Sequence, residues 1–335
     1  MSLLFKLLEV EKVEVQQKIR PKKKRDFKKW APYLFISPWI IGFLAFTLGP
    51  LIFSLFMSLH DWPVTREPVF IGLQNYIHMF TKDPQFYKSL GLTFKFALIF
   101  VPLNMIIALI LAMLLTQHVK GVKIFRTIFY IPSVISGVAI SIIWGWIFNT
   151  KYGILNYLLK LVGIDGPQWL VDPKWAIIAV VIASAWGVGS MMLIFYTNIK
   201  SIPQDYYEAA VIDGASPVRQ FFSITIPIIT PTILFNLITS TITALQQLTL
   251  VILLTKGGPL KSTYFYGLYV FENAFKHQRL GYASANAWIM FIVILLLTAI
   301  IFKSSDAWVF YEAEVKGQKK KKKKKSKMSK KKEKN

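Results

Sequence analysis

FALIFVPLNMIIALILAMLLTQHV, residues Phe96–Val119, runs for 24 residues without an Asp, Glu, Lys or Arg. A helix needs about 20 apolar residues to cross the hydrocarbon of a bilayer. Backbone amides have no partner in lipid, so such a stretch must be a helix or a closed barrel strand. Barrel strands are about half as long and alternate apolar with polar residues; this stretch does not alternate. Five more windows are equally free of charge: Trp30–His60, Thr127–Thr150, Trp175–Ile199, Gln220–Thr255 and Leu280–Phe302. The expected fold is therefore an all-α membrane protein with six transmembrane helices. Six such windows rarely coincide in a soluble core. The first is not a cleaved signal peptide, because a charged stretch of some thirty residues precedes it and its apolar run is too long.

The chain has 335 residues, 54% hydrophobic, and a net charge of +23. That excess sits at the ends. Residues 1–30 carry ten Lys or Arg and residues 303–335 carry fourteen, leaving sixteen against nine acids between them. Basic tails stay cytoplasmic, and an even number of spans returns both ends to one side. The charge thus reads as topology and lipid attraction, not as a nucleic-acid partner. Three regions follow: a basic cytoplasmic tail at 1–29, a membrane domain at 30–303, and a Lys-rich, disordered cytoplasmic tail at 304–335. Leu3, Leu4, Leu7 and Leu8 allow a short interfacial helix within the first tail. With no cysteine there is no disulfide, and the redox compartment is unreadable.

Prolines divide the windows. Pro38, Gly49 and Pro50 should kink or end span 1. Span 2 is expected over Phe96–Gln117, with Lys95 at its outer end, and span 3 over Ile128–Phe148, with Trp144 and Trp146 in the aromatic belt. Span 4 is expected over Trp175–Tyr196. Pro227 and Pro231 should delay span 5 until Ile229, and it should end near Leu254. Span 6 is expected over Ala283–Phe302.

The inside loop between spans 4 and 5 is about thirty residues long, enough to hold structure of its own. Ser201 and Gln204 fit a capping box for a first helix, with Asp205 and Glu208 toward its positive end. Gly214 stands where a left-handed residue would stop it. Ser216 and Pro217 are cap and N1 of a second helix. A helix, a glycine turn and a helix are expected on the cytoplasmic side.

Glu208-Ala209-Ala210, then Gly214 after three residues, then Ile224-Thr225-Ile226-Pro227 after nine more, resembles the cytoplasmic loop signature of bacterial ABC importer permeases. Ile226 stands where that signature has Leu. The resemblance covers most of residues 30–303 and is nearest to the larger permease of carbohydrate importers of the maltose, lactose and glycerol-3-phosphate type. Ile71–Tyr76, Phe125–Pro132, Tyr152–Asn156, Thr255–Pro259 and Gly281–Ala285 are similar too. It implies that Glu208, Ala209, Ala210, Asp213, Gly214 and Pro227 belong to a coupling loop that docks on a separate ATPase. It also implies a second homologous permease, two ATPase copies and an extracytoplasmic solute-binding protein in a cell membrane. ATP and Mg would be held by the ATPase, with no cofactor on this chain. On its own, Glu208 would read as a solvated carboxylate.

No G-x-x-x-x-G-K-[ST] loop is present. Gly257–Thr263 imitates one, but its Gly and Lys are not adjacent. His60, His78, His118 and His277 are scattered, so no metal site is expected, and no catalytic set lies in a span. Span 5 places Asn236, Ser240, Thr243 and Gln247 on one helical face. That stripe either lines a substrate pathway suited to sugar hydroxyls or hydrogen-bonds a neighbouring helix. Ser133, Gly137 and Ser141 recur every four residues on span 3 and read as close packing. A phosphorylated polyol would need cations in the pathway, and no expected span interior has one. An ion-coupled transporter would place acids within spans, and a membrane-embedded enzyme would need a catalytic constellation; neither is found.

Overall fold

The computed structural model describes residues 27–117 and 120–310. The readings made on residues 1–26 and 311–335, and on His118, lie outside them. The described chain is almost wholly helical; its strands, β1 (His60–Asp61) and β2 (Val69–Phe70), pair antiparallel in a two-stranded hairpin. Four helices are long and apolar enough to cross a membrane, and six if each of two bent pairs is one span.

Residues up to Phe56 form a unit of their own. Helix α1 (Phe27–Phe43) passes through a π turn, Leu44–Leu48, into α2 (Gly49–Ser58). Large side chains of the unit, such as Phe35 and Trp39 in α1 and Phe46 in the π turn, are exposed. Pro50 neither ends nor breaks the run. A proline clashes with the carbonyl four residues back, and the π turn lets the preceding Gly49 N–H reach Leu44 O instead.

In the second unit, α3 (Gln74–Thr81) leads to α4 (Pro84–Thr116), the spine of the bundle. Its 33 residues rise about 50 Å at 1.5 Å each, well beyond the hydrocarbon. The helix starts twelve residues before Phe96, because Asp83 caps it: the carboxylate accepts from the amides of Gln85 (2.9 Å) and Phe86 (3.3 Å), and Pro84 takes N1. Lys95 consequently lies well inside the helix.

The third expected span is two helices, α5 (Val122–Val134) and α6 (Gly137–Ile147), bent by 103°. The bend is not at Pro132, which is buried within α5; Ile135 is extended, and Ser136 caps α6 by accepting from Ala139 N–H. This break separates Ser133 from Gly137 and Ser141, so the three do not form one packing stripe. Gly137 alone marks a close approach, since a Cβ there would lie 3.2 Å from Thr249 Cγ2. Trp146 is exposed, whereas Trp144 packs on Phe148 and edge-on against Trp186.

After α7 (Ile154–Leu161), the fourth window is α8 (Pro173–Ala185) and α9 (Gly189–Lys200), bent by 50°. Helix α9 packs along α4 and α5, where Phe195, Met192, Ala108 and Ala112 form one buried cluster with Ile229.

The remaining elements are α10 (Gln204–Ile212), α11 (Pro217–Gln220), a π turn at Phe221–Thr225, α12 (Ile226–Leu245), α13 (Tyr266–Phe271) and α14 (Leu280–Ser305). The fifth span does not wait for Ile229: helix runs without interruption from Pro217 to Leu245. Before Pro227 the chain repeats the device used at Pro50, with Ile226 N–H donating to Phe221 O across the π turn. Pro231 leaves Pro227 O without its amide donor, and the Thr230 hydroxyl donates to that carbonyl instead at 2.7 Å. The same Thr230 oxygen accepts from Phe310 N–H, which fastens the end of the described chain to α12. The helix ends at Leu245, nine residues short of the expected Leu254; Gln246 and Gln247 follow it, and a separate π turn covers Val251–Thr255.

Candidate coupling loop and polar core

Helix α10 is a projecting element. None of its residues is buried, and Ile212 is 86% and Val211 63% exposed. Glu208 and Ala209 are exposed too, Ala210 half so. Glu208 makes no hydrogen bond or ion pair with any described residue. Ser201 does not cap α10. Helix α9 runs on to Lys200, leaving Ser201 to donate to Asn198 O, and Pro203 holds the N-cap position without a side-chain bond.

The end of α10 matches expectation. Asp213 is the C-cap and Gly214 has φ +74°. The Gly214 amide donates to Val211 O (3.0 Å) and the Ala215 amide to Ala210 O (2.8 Å), the paired bonds of a Schellman turn. Ser216 then accepts from the Arg219 amide, with Pro217 at N1. The second short helix is not separate: α11 is the first turn of the helix that becomes α12, and half-buried Pro227 lies within it. The hydroxyls of Tyr207 and Thr225 are hydrogen-bonded at 2.9 Å, and Gln220 Nε2 donates to Ala215 O. The turn thus connects α10 to a 29-residue helix with little slack.

The polar stripe divides. Asn236 and Ser240 are buried on α12, and Asn236 Nδ2 and Ser240 Oγ have no hydrogen-bond partner among the described residues. Thr243 is exposed and donates back to Thr239 O. Gln247 lies beyond the helix end and donates to Ser184 Oγ at 3.2 Å, so the four do not share one helical face. Asn104 on α4, which packs along α12, joins the unsatisfied pair: its Oδ1 is buried without a partner. It was recognisable as the amide in the middle of the opening window, whose other amide, Gln117, lies near the window's end.

At the other end of α4, Asp83 does more than cap. Its Oδ2 accepts from the hydroxyls of Tyr269 and Tyr282 (2.8 Å), tying α4 to α13 and α14. Burial pushes its carboxyl up, but the two tyrosines and two backbone amides outweigh that and hold it below the usual carboxylate range. Such a group stabilises the fold above its ordinary value of 3.8, and the contribution disappears as pH falls through the depressed value. Asp83→Asn should therefore lower the apparent melting temperature of the detergent-solubilised protein by several degrees at pH 7, a loss of about 1–2 kcal/mol for a part-exposed charged acceptor. The gap to wild type should close as the pH falls below the ordinary carboxylate value and through the depressed one. A gap independent of pH would mean that the carboxylate charge is not what holds the clamp.

The model of the family described as binding-protein-dependent transport system inner membrane component matches residues 104–311. The probable ABC transporter permease protein YesP of Bacillus subtilis is 46% identical over 299 residues, covering 88% of this chain and 96% of the relative. The trehalose/maltose transport system permease protein MalF of Thermococcus litoralis is 34% identical over 81% of this chain and 92% of its own. Among solved structures, the bacterial alginate ABC transporter in complex with alginate pentasaccharide-bound periplasmic protein contains a chain of like fold. Its TM-score is 0.72 at 24% identity, over 85% of this chain and 97% of that one.

Proposed function

The chain belongs to the family of binding-protein-dependent transport system inner membrane components, and from that premise we infer that it is the permease subunit of a saccharide importer, moved by ATP hydrolysed on a separate subunit. The observation that carries this reading is α10: an exposed helix with uncovered Val211 and Ile212, fixed by a Schellman turn to the helix that becomes α12. A helix docked on a partner at Glu208, Ala209 and Ala210 moves as a rigid body, and α12 follows because nothing between them is slack.

In the full reading the chain crosses the cytoplasmic membrane of a bacterium six times, counting each bent pair once, with both termini and residues 201–227 in the cytosol. A second permease, two ATPase copies and an external solute-binding protein complete the importer, and ATP with Mg is bound by the ATPase. A relative named for trehalose and maltose supports a saccharide as substrate. Asn104, Asn236 and Ser240 are the polar groups that a sugar's hydroxyls would satisfy in transit, since leaving them unpaired in an apolar interior is costly.

The reading is tested by transport. Membranes containing the chain should capture an ATPase subunit through residues 204–214 and take up a saccharide only with ATP; uptake driven by an ion gradient without ATP would reject it. Asn236→Ala and Ser240→Ala should each raise the substrate concentration for half-maximal uptake several-fold at unchanged protein level. Unaltered uptake kinetics would make these residues packing groups only.

A further inference from the structure

The absence of Lys and Arg from expected span interiors spoke against an anionic substrate. It no longer does, because α4 begins at Pro84 and so contains Lys88 and Lys95. Seven residues apart, they lie on one face about 10 Å from each other along the axis. Between them Gly91 leaves open space, with nothing within 4 Å of where a Cβ would be. Opposite them runs the loop that imitates a phosphate-binding sequence. Its Leu260 and Lys261 both hold positive φ (48° and 61°), a conformation that L side chains avoid unless the surroundings impose it. Lys261 Nζ donates to Gln85 Oε1 at 3.0 Å, which joins loop to helix.

The result is a cavity of about 550 Å³ lined by Gln85, Lys88, Gly91, Lys95, Lys261 and Ser262, with no carboxylate in its wall. Asp83 is committed to its two tyrosines. Gln85 Nε2 and Ser262 Oγ have no hydrogen-bond partner among the described residues. Three cations in a wall without a carboxylate call for an acceptor-only anion. The volume is that of a small-molecule site; a single acidic side chain from a protein would leave most of it empty. The cavity lies at the far end of α4 from the 201–227 loop, since Thr116 at the other end borders Gln204 and Tyr207.

We propose that this cavity binds the carboxylate of an acidic saccharide at the outer mouth of the pathway. The proposal rests on the saccharide-permease reading and narrows its substrate class. The test uses the full chain in phosphatidylcholine nanodiscs, titrated at low salt with cellobiouronate and with cellobiose, which differ only in the carboxylate. Cellobiouronate should bind at least about tenfold tighter. The Lys88→Gln/Lys95→Gln/Lys261→Gln variant should lose that preference, and the corresponding triple Arg variant should keep it.

Equal binding of the two sugars, or a preference untouched in the Gln variant, overturns the proposal. So does tighter binding of glucose 6-phosphate than of cellobiouronate, which would assign the cavity to phosphate. So does a Gln variant that binds cellobiouronate normally but holds the solute-binding protein less well, which would make the cavity an acidic-protein dock. A chain that couples ATP to uptake of a neutral sugar without any carboxylate preference removes this inference alone; failure to capture an ATPase removes the reading beneath it.

Discussion

Gly214→Pro abolishes substrate uptake, to below about one hundredth of the wild-type rate, while the chain still inserts in the membrane at its normal level. The amide of Gly214 is half of the Schellman turn, and its φ is +74°. Proline has no N–H and fixes φ near −65°, so the α10–α11 corner opens and the lever bends instead of pushing. The damage stays local, because a Cβ at this position would meet nothing within 4 Å. Gly214→Ala keeps the amide and pays only the left-handed strain of about 1–2 kcal/mol, so partial uptake should remain. Glu208→Lys should match the proline variant for a different reason. Glu208 is exposed and has no partner among the described residues, so charge reversal leaves the fold alone and meets its effect at the docking partner. Normal transport by both variants would remove the coupling role.

Gly189→Val should do the opposite and prevent the bundle from forming. A Cβ at residue 189 would overlap Phe129 O and stand 2.7 Å from Tyr130 Cα. Those are backbone atoms of α5, which cannot rotate away as a side chain could. Helix α9 would have to leave α5, opening the buried cluster around Met192 and Phe195. Overpacking a tight contact costs about 1–3 kcal/mol when neighbours can adjust, and here the backbone cannot, so the loss should reach at least ~3 kcal/mol. It should be read as aggregated protein after detergent extraction and a collapsed melting temperature. Gly42→Ala, where a Cβ meets nothing within 4 Å, is the control and should behave as wild type. A monodisperse, stable Gly189→Val protein would show that the α5–α9 approach is not as close as drawn.

Membrane helices were legible because absence of charge over twenty residues is a strong, local signal. How each window is bent was not. Prolines looked like boundaries, yet Pro50 and Pro227 sit inside continuous helix, each rescued by a π turn, and Pro231 is compensated by the Thr230 hydroxyl. The real breaks fall at Ile135–Ser136, where a serine cap starts a new helix, and beside Gly187, with no proline at either. The turn at Gly214 and the cap at Ser216 were readable because their chemistry is local. Ser201 misled, since the preceding helix extends to claim it. The Asp83 clamp depends on Tyr269 and Tyr282, some two hundred residues away. Its one local clue was the Asp83-Pro84 pair, a cap followed by an N1 proline.

Because the chain has no cysteine, a single one reports on its own site without background. The Glu208→Cys variant, treated with a membrane-impermeant maleimide, tests the central claim directly. The account predicts labelling in inverted membrane vesicles and none in intact cells, with the label blocked once the ATPase subunit is assembled. Labelling from the outside of intact cells, or labelling that the ATPase does not diminish, would contradict it.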